Sequence, residues 1–414
     1  QYDIISGEDV VSISDGKIKG LKKGEAQVEI SCVGKDKETY TKIYTFNVSL
    51  PQIEVEEVLD FSIAKGAFSQ SQLRVLFDNE NPQIIGISCE DKNINANIDA
   101  GKVKISGDYD FNTPIKFTIE GQQNISVVRL KLYSDIISSA EGLNALIRRE
   151  NDKIDGKIVN NDGYYILGDN INLNYVDLAQ DPTWNVESSG FTGILDGRGY
   201  TIDKYLVQKF GLFGYISRQA EIKNLALTNV KFGAKGSTGV LAKEISSTSK
   251  NDAPTISNVY IQVIDFNNLD EVATLAFKRT GTGGYEKIEN CVFEAKNEGV
   301  KYAASVYTYD SSRLQTDNRW QVSNTYVISS IPVVTDKGFD AVNKNPTISA
   351  IAGFVRYDDY EEMQLTNANY SLFNTDCWDI VTYNLPVWKN LPGDLKTPTI
   401  TLNDGIENIS LYTT

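Results

Sequence analysis

Residues 222–230 read IKNLALTNV, and three later stretches align with them: ISNVYIQVI (256–264), IENCVFEAK (288–296) and VSNTYVISS (322–330). Each has an aliphatic residue, any residue, an asparagine and then alternating apolar side chains. The asparagines are Asn224, Asn258, Asn290 and Asn324, spaced 34, 32 and 34 residues apart. A second apolar strand type falls around them, in FGLFGYI (210–216), TGVLAKEI (238–245), ATLAFKRT (273–280), ASVYTYD (304–310) and AIAGFVRY (350–357). Two strands per repeat at this period predict a parallel β-helix. Each coil of such a stack buries its apolar side only against its neighbours.

The asparagines then have a structural task. Asn tolerates the left-handed backbone of a tight bend, and amides stacked from coil to coil both donate and accept along the column. Asn224, Asn258, Asn290 and Asn324 are therefore read as a structural ladder. Alternation sends Leu225 and Leu227, Val259 and Ile261, Cys291 and Phe293, and Thr325 and Val327 inward. The fourth position after each Asn, held by Thr228, Gln262, Glu294 and Ile328, fits an outward site only loosely.

The rest of the chain also alternates in short apolar runs punctuated by Asn, Asp and Gly, so the fold class is all-β. One amphipathic helix stands out at 138–150, SSAEGLNALIRRE. Ser138 and Glu141 make a capping box, and Leu143, Leu146 and Ile147 form one apolar face. Such a helix covers the open end of a stacked β structure. Residues 51–135 carry six short runs, QLRVLF among them, and predict a second β-sandwich. Residues 393–414 read as a linker into a further β module.

Two resemblances sharpen this outline. Residues 10–34, VVSISDGKIKGLKKGEAQVEISCVG, resemble the second half of a bacterial Ig-like (group 2) domain, whose hallmark is DGxIxGLxxGxAxI. The resemblance implies that 1–50 is a partial domain of that kind and that the chain is a fragment of a longer protein. YYILGDNINL (164–173), FTGILDGRGYTI (191–202), GLFG (211–214) and IKNLALTNV are similar to the GLUG-type, pectate-lyase-like β-helices of bacterial surface proteins. YSLFNTDCWDI (370–380) and NLPVWKN (384–390) resemble the way such regions end. The expected architecture is Ig-like β-sandwich modules, then a helix-capped right-handed parallel β-helix over 136–392. The resemblance implies an extracellular, cell-surface setting. Lyases of that family use a lysine or arginine base with carboxylates holding calcium, and spacing reveals no such cluster here.

Composition excludes several classes. The 414 residues suffice for about three domains. The net charge of −15 opposes nucleic acid as a partner. Histidine is absent, which removes Ser-His-Asp and Cys-His triads and HExxH zinc sites. Cys32, Cys89, Cys291 and Cys377 lie far apart without a CxxC, so buried free thiols are expected rather than a metal cluster. No run approaches 18 apolar residues, so no membrane insertion is expected. The start lacks a basic segment followed by an apolar one, so any signal peptide is expected to have been removed.

Four groups are candidates for chemistry. Tyr302, Tyr307, Tyr309, Trp320 and Tyr326 gather in one coil and its loops, and exposed aromatic faces suit sugar rings or protein contacts. Asp196-Gly197-Arg198-Gly199 sets an acid and a base on a turn. Asp169, Asn170, Asn172, Asp177 and Asp181 offer hard oxygen ligands for calcium but lack the EF-hand order, so a polar loop is expected and no cofactor. Asp358, Asp359, Glu361 and Glu362, beside Tyr357 and Tyr360, read as a solvated acidic run. The expectation is a non-catalytic adhesion or glycan-binding module of a large bacterial surface protein, monomeric, meeting a glycan or a host or matrix protein. A polysaccharide lyase or glycoside hydrolase on the same fold, and a purely structural spacer, are the alternatives.

Overall fold

The computed structural model describes residues 1–77, 83–148, 153–154, 157–158, 161–178, 190–233, 237–247, 249–267, 272–280, 286–295, 307–310, 321–329, 354–357, 360, 363, 370–381 and 385–392. The chain divides into two compact units, Gln1–Asp135 and Ile136–Thr414.

The first unit holds two β modules. The strands β1 (Tyr2–Ser6), β2 (Val11–Ser14), β3 (Lys17–Gly20), β4 (Gly24–Val33) and β5 (Thr39–Val48) make up the first. β1, β4 and β5 form an antiparallel sheet in that order, and β2 and β3 form a hairpin. The hairpin turns on Asp15-Gly16, both left-handed, with φ of 52° and 70°, as a two-residue turn matched to strand twist requires. Val10, Val11, Ala26 and Val28 form its small core.

The second module contains β6 (Gln52–Ser62), α1 (Gln70–Phe77), β7 (Ile84–Cys89), β8 (Ile94–Asp99), β9 (Lys102–Gly107), β10 (Ile115–Gly121) and β11 (Ile125–Tyr133). Its sheet runs β6-β11-β10-β7, with β6 and β11 parallel, and β8–β9 is a hairpin. Phe61, Leu76, Phe117, Ile119, Leu130 and Leu132 fill the space between, so the module is sandwich-like.

QLRVLF is helical, not a strand as its apolar content suggests. The reason is local: Ser69 Oγ accepts from Gln72 N at 3.2 Å, while Gln72 Oε1 accepts from Ser69 N at 2.7 Å. This reciprocal S-x-x-Q box fixes the helix start, and Leu76 and Phe77 then point into the core.

The second unit opens with α2 (Ala140–Arg148), whose Leu143, Leu146 and Ile147 are buried. Its cap is one residue later than the sequence suggests. Ser139 Oγ accepts from Gly142 N at 3.1 Å, because the capping hydroxyl must reach the third amide of the helix.

Beyond the helix the chain is a parallel β-helix. One sheet climbs through Tyr164–Leu167, Ile194–Asp196, Glu221–Phe232 and Thr255–Asp265. It continues through the split rungs Lys287–Glu289 with Val292–Ala295 and Gln321–Ser323 with Thr325–Ser329, and ends at Phe354–Tyr357. Every neighbouring pair on this path from Tyr164–Leu167 onward is parallel. A second parallel sheet joins Phe213–Ser217, Ala242–Ser246, Ala276–Thr280 and Tyr307–Asp310. The stretch 350–357, aligned above with that second strand type, instead supplies the last rung of the first sheet: Thr325 pairs Phe354 and Tyr326 pairs Val355. Both strand types are apolar runs, so composition alone does not tell them apart.

Asn224, Asn258, Asn290 and Asn324 have φ of 53°, 51°, 55° and 45°. Each sits at a corner that divides its rung in two. Leu225, Val259, Cys291 and Thr325 form one fully buried inward column; Leu227, Ile261, Phe293 and Val327 form the next. Stacked rungs lie about 4.8 Å apart, so each inward side chain meets its equivalent above and below. Phe191 stacks on Phe213 at 4.6 Å and Phe232 on Phe266 at 5.4 Å inside the same core.

The corner geometry sets an expected outcome for substitution. Asn290→Ala forces Cβ into left-handed space and removes the acceptor for Asn324 Nδ2 at 3.3 Å, at a cost of about 2 kcal/mol. Asn290→Gly keeps the turn and loses about half as much. Urea unfolding of both variants measures this. Equal losses would mean that the amide rather than the backbone turn governs the position.

Candidate functional site

Alternation along each rung decides which side chains leave the core. Ahead of the asparagine the outward residues are polar. Glu221, Thr255, Lys287 and Gln321 form one column in register, and Lys223, Ser257, Glu289 and Ser323 form the next. All eight are at least partly exposed. Lys223 Nζ pairs with Glu221 Oε2 at 2.8 Å, and Lys287 Nζ with Glu289 Oε2 at 2.7 Å. The result is a flat grid of ion pairs separated by hydroxyls.

Asp196 opens this grid. Its Oδ1 accepts from Arg198 N at 2.8 Å and from Asn224 Nδ2 at 3.0 Å. Arg198 and Gly199 are both left-handed, at φ 52° and 81°. The Asp-Gly-Arg-Gly stretch is thus the corner of the rung that precedes Asn224. Gly197 is required there, because a Cβ would lie 2.4 Å from the carbonyl oxygen of Asn224. Tyr164 OH donates to Asp196 Oδ2 at 3.4 Å, and Lys223 Nζ lies 5.8 Å from the Tyr164 ring centre.

Past the asparagine the outward residues change character. Ala226, Tyr260, Val292 and Tyr326 form an in-register column, and all four are buried. The chain's own segments 370–380 and 385–391 cover them with Tyr370, Phe373, Trp378, Leu385, Val387 and Trp388. Trp378 meets Phe373 at 5.0 Å and Trp388 at 4.9 Å, edge to face in both cases. Asn374 fastens this strap to the corner column. Its Nδ2 donates to Asn224 Oδ1 at 3.2 Å and its backbone N to Asn258 Oδ1 at 3.1 Å. Farther along, Asn390 Nδ2 donates to Gly199 O at 2.8 Å, and Thr201 Oγ1 donates to Asn390 O at 2.6 Å.

The second covered column is polar and continuous. Asp203 Oδ1 accepts from Thr228 Oγ1 at 2.8 Å and from Asn229 Nδ2 at 2.9 Å. Asn229 N donates to Gln262 Oε1 at 3.4 Å, and Gln262 Nε2 donates to Glu294 Oε2 at 3.2 Å. Glu294 Oε2 also accepts from Tyr260 OH at 2.6 Å and Tyr360 OH at 3.2 Å. Glu294 is 1% exposed. Burial, with the Glu294 charge adding to it, pushes the Tyr260 and Tyr360 phenols well above their ordinary range.

The described residues place several of the earlier candidates. Tyr326 is 5% exposed and lies inside the aromatic cluster, 5.2 Å from Tyr370 and 5.9 Å from Phe373. It is a core residue, not a surface one. Tyr307 and Tyr309 lie on the last strand of the second sheet, where Tyr309 shares a register with Lys278, Glu244 and Tyr215. Tyr215 OH donates to Glu244 Oε1. Tyr302, Trp320, Asp181, Asp358, Asp359, Glu361 and Glu362 lie outside the described residues. Asp169 Oδ1 accepts from Asn170 N and Asn172 Oδ1 from Asn174 N within the loop, while Asn170 Oδ1 accepts from Thr201 N of the next coil, so these oxygens serve the chain's own backbone. Among the described residues, no group of three or more His, Cys, Asp or Glu gathers as a metal ion needs. Among those residues too, no helix is long and apolar enough to cross a membrane.

The cysteines are all free. Cys32 is exposed, Cys89 half-buried, and Cys291 and Cys377 buried. Burial pushes the Cys291 and Cys377 thiols up to about 12.

The polar grid was missed in the sequence although its signal is plain once the register is known. The tetrapeptides EIKN, TISN, KIEN and QVSN each read polar, aliphatic, polar, corner. No family model, curated protein or solved structure matches the chain.

The buried phenols predict an alkaline limit. Below about pH 10 both the folded and unfolded chains keep Tyr260 and Tyr360 protonated. Above it only the unfolded chain releases those protons, so stability falls as pH rises. Phenolate absorbance and circular dichroism followed together should show these two tyrosines ionising only as the fold is lost. Ionisation of all tyrosines before unfolding would contradict their burial.

Proposed function

We propose that the chain is a non-catalytic glycan-binding module of an extracellular bacterial surface protein, with the polar grid ahead of the asparagine corners as its contact face. The sandwich modules serve as stalk and the β-helix as the presented surface. One observation carries this reading. The exposed outward face of the rungs is flat, polar and charge-balanced, whereas the aromatic face beside it is closed by the strap.

The balance matters because the chain as a whole carries −15. On the grid, Glu221 and Glu289 offset Lys223 and Lys287. Such a face favours neutral polyhydroxylated polymers over polyanions or polycations. Rungs at about 4.8 Å and alternate residues about 6.6 Å apart repeat donors and acceptors along the stack. An elongated ligand therefore meets the same chemistry at each step.

The non-catalytic reading is favoured over a lyase or hydrolase by the state of the two buried carboxylates. Asp203 and Glu294 already accept from five side-chain donors of the chain itself. Those donors all fall on Asp203 Oδ1 and Glu294 Oε2, while Asp203 Oδ2 and Glu294 Oε1 are buried without a hydrogen bond among the described residues. What supports the reading is that side chains of the chain itself occupy the space around both carboxylates.

The test is a glycan array probed with the intact chain and with Ser257→Arg, which places a long cation in the middle of the grid. Saturable binding to a neutral polysaccharide, weakened at least tenfold by Ser257→Arg at unchanged melting temperature, is the expected result. Binding to no glycan, or binding that neither Ser257→Arg nor Tyr309→Ala disturbs, would overturn the proposal.

A further inference from the structure

The sheet β1-β4-β5 ends in an edge that nothing in its own module covers. β5 pairs with β4 over ten consecutive residues, from Gly24 with Val48 to Val33 with Thr39, without a bulge. Its other side is the outer edge of the sheet. Long flat edges of this kind normally carry proline, a bulge or several charges that discourage further pairing. β5, TYTKIYTFNV, has no proline, no acid and a single lysine, Lys42. Most of it is exposed, including Tyr40 at 54% and Ile43 at 53%.

The residue types of β5 mirror one another about Ile43. Lys42 answers Tyr44, Thr41 answers Thr45, Tyr40 answers Phe46 and Thr39 answers Asn47. We propose that β5 pairs antiparallel with β5 of a second copy of the chain, on a twofold axis through Ile43. The two three-stranded sheets then become one sheet of six. In this register Thr41 faces Thr45, Tyr40 faces Phe46 and Ile43 faces its own mate, all favoured cross-strand pairs.

Charge selects the register. Lys42 Nζ already lies 5.0 Å from the centre of the Tyr44 ring in one copy. Pairing about Ile43 sets each Lys42 opposite the Tyr44 of the other copy, so the ammonium keeps an aromatic face on both sides. Moving the axis one residue, to Lys42, would bring two ammonium groups face to face and is disfavoured. The contact is isologous and closes after two copies. The chain is then a dimer rather than the monomer expected from its sequence.

Sedimentation equilibrium of the intact chain tests this. The expected mass at high concentration is twice 45.9 kDa, and Ile43→Lys should weaken association at least tenfold. Ile43 is exposed, so the variant is expected to fold, and circular dichroism checks that it does; Thr45→Lys is the second variant. The register is tested separately in a Cys32→Ser background. Ile43→Cys should form an interchain disulfide on oxidation, because directly opposed residues lie about 4.5–5.5 Å apart at Cα. Tyr40→Cys should not, since its mate faces Phe46. A monomer at every concentration would overturn the proposal. So would a dimer that survives Ile43→Lys, or one in which Tyr40→Cys cross-links and Ile43→Cys does not.

Discussion

The left-handed corner at Asn224, Asn258, Asn290 and Asn324 is the constraint on which the β-helix depends. An L-residue resists this backbone, and asparagine resists it least among residues that also bring an amide. Repeating the corner at one place in every coil does more than turn the chain. It divides each rung into two short strands whose outward sides face different directions. The first can stay polar and wet. The second lies where a further segment can cover it, and its Ala226, Tyr260, Val292 and Tyr326 are buried in consequence. In the rung before Asn224, Asp196-Gly197-Arg198-Gly199 makes the same turn by other means, with Arg198 and Gly199 left-handed and Asp196 holding Asn224.

The strap follows from that division. An apolar outward column cannot remain in water, and segments 370–380 and 385–391 bury it. Their hold is both apolar and specific. The aromatic rings of Phe373, Trp378 and Trp388 interlock at 4.9–5.0 Å, and Asn374 takes acceptors that belong to the corner amides. A strap fixed only by apolar contact could slide by a rung with little loss. Asn374 joined to two successive corners sets its register. The Glu294 cluster acts in the same sense: Tyr260 from the rung and Tyr360 from outside it meet on one carboxylate oxygen. Desolvating a carboxylate is costly unless its donors are in place, so the native seating of Tyr360 adds a third donor to Glu294 Oε2.

Much of the solenoid was legible because its signals are periodic. The Asn spacing located the corners, and alternation named the inward columns, including the out-of-pattern Cys291 and Thr325. What was illegible depends on partners distant in sequence. Tyr326 looks like a surface aromatic until residues more than forty positions away cover it. Glu294 looks like a solvated acid until Tyr260, Gln262 and Tyr360 are brought to it. The helix α1 was hidden for a local reason, since QLRVLF is apolar enough for a strand and only the Ser69–Gln72 box decides otherwise. The polar grid lay in view, but its meaning required knowing that the two residues flanking each aliphatic position point away from the core.

The same alternation bears on why the two outward faces diverged in chemistry. A face that the chain covers for itself packs apolar side chains and brings donors to its buried carboxylates. Tyr260 paired with Glu294 and Asn229 paired with Asp203 meet that condition. A face left open has no such pressure, yet Glu221, Lys223, Lys287 and Glu289 keep opposite charges adjacent within a rung and reverse their order between rungs. Exposed ion pairs add little stability, so folding energy alone gives little reason for this alternation of charge.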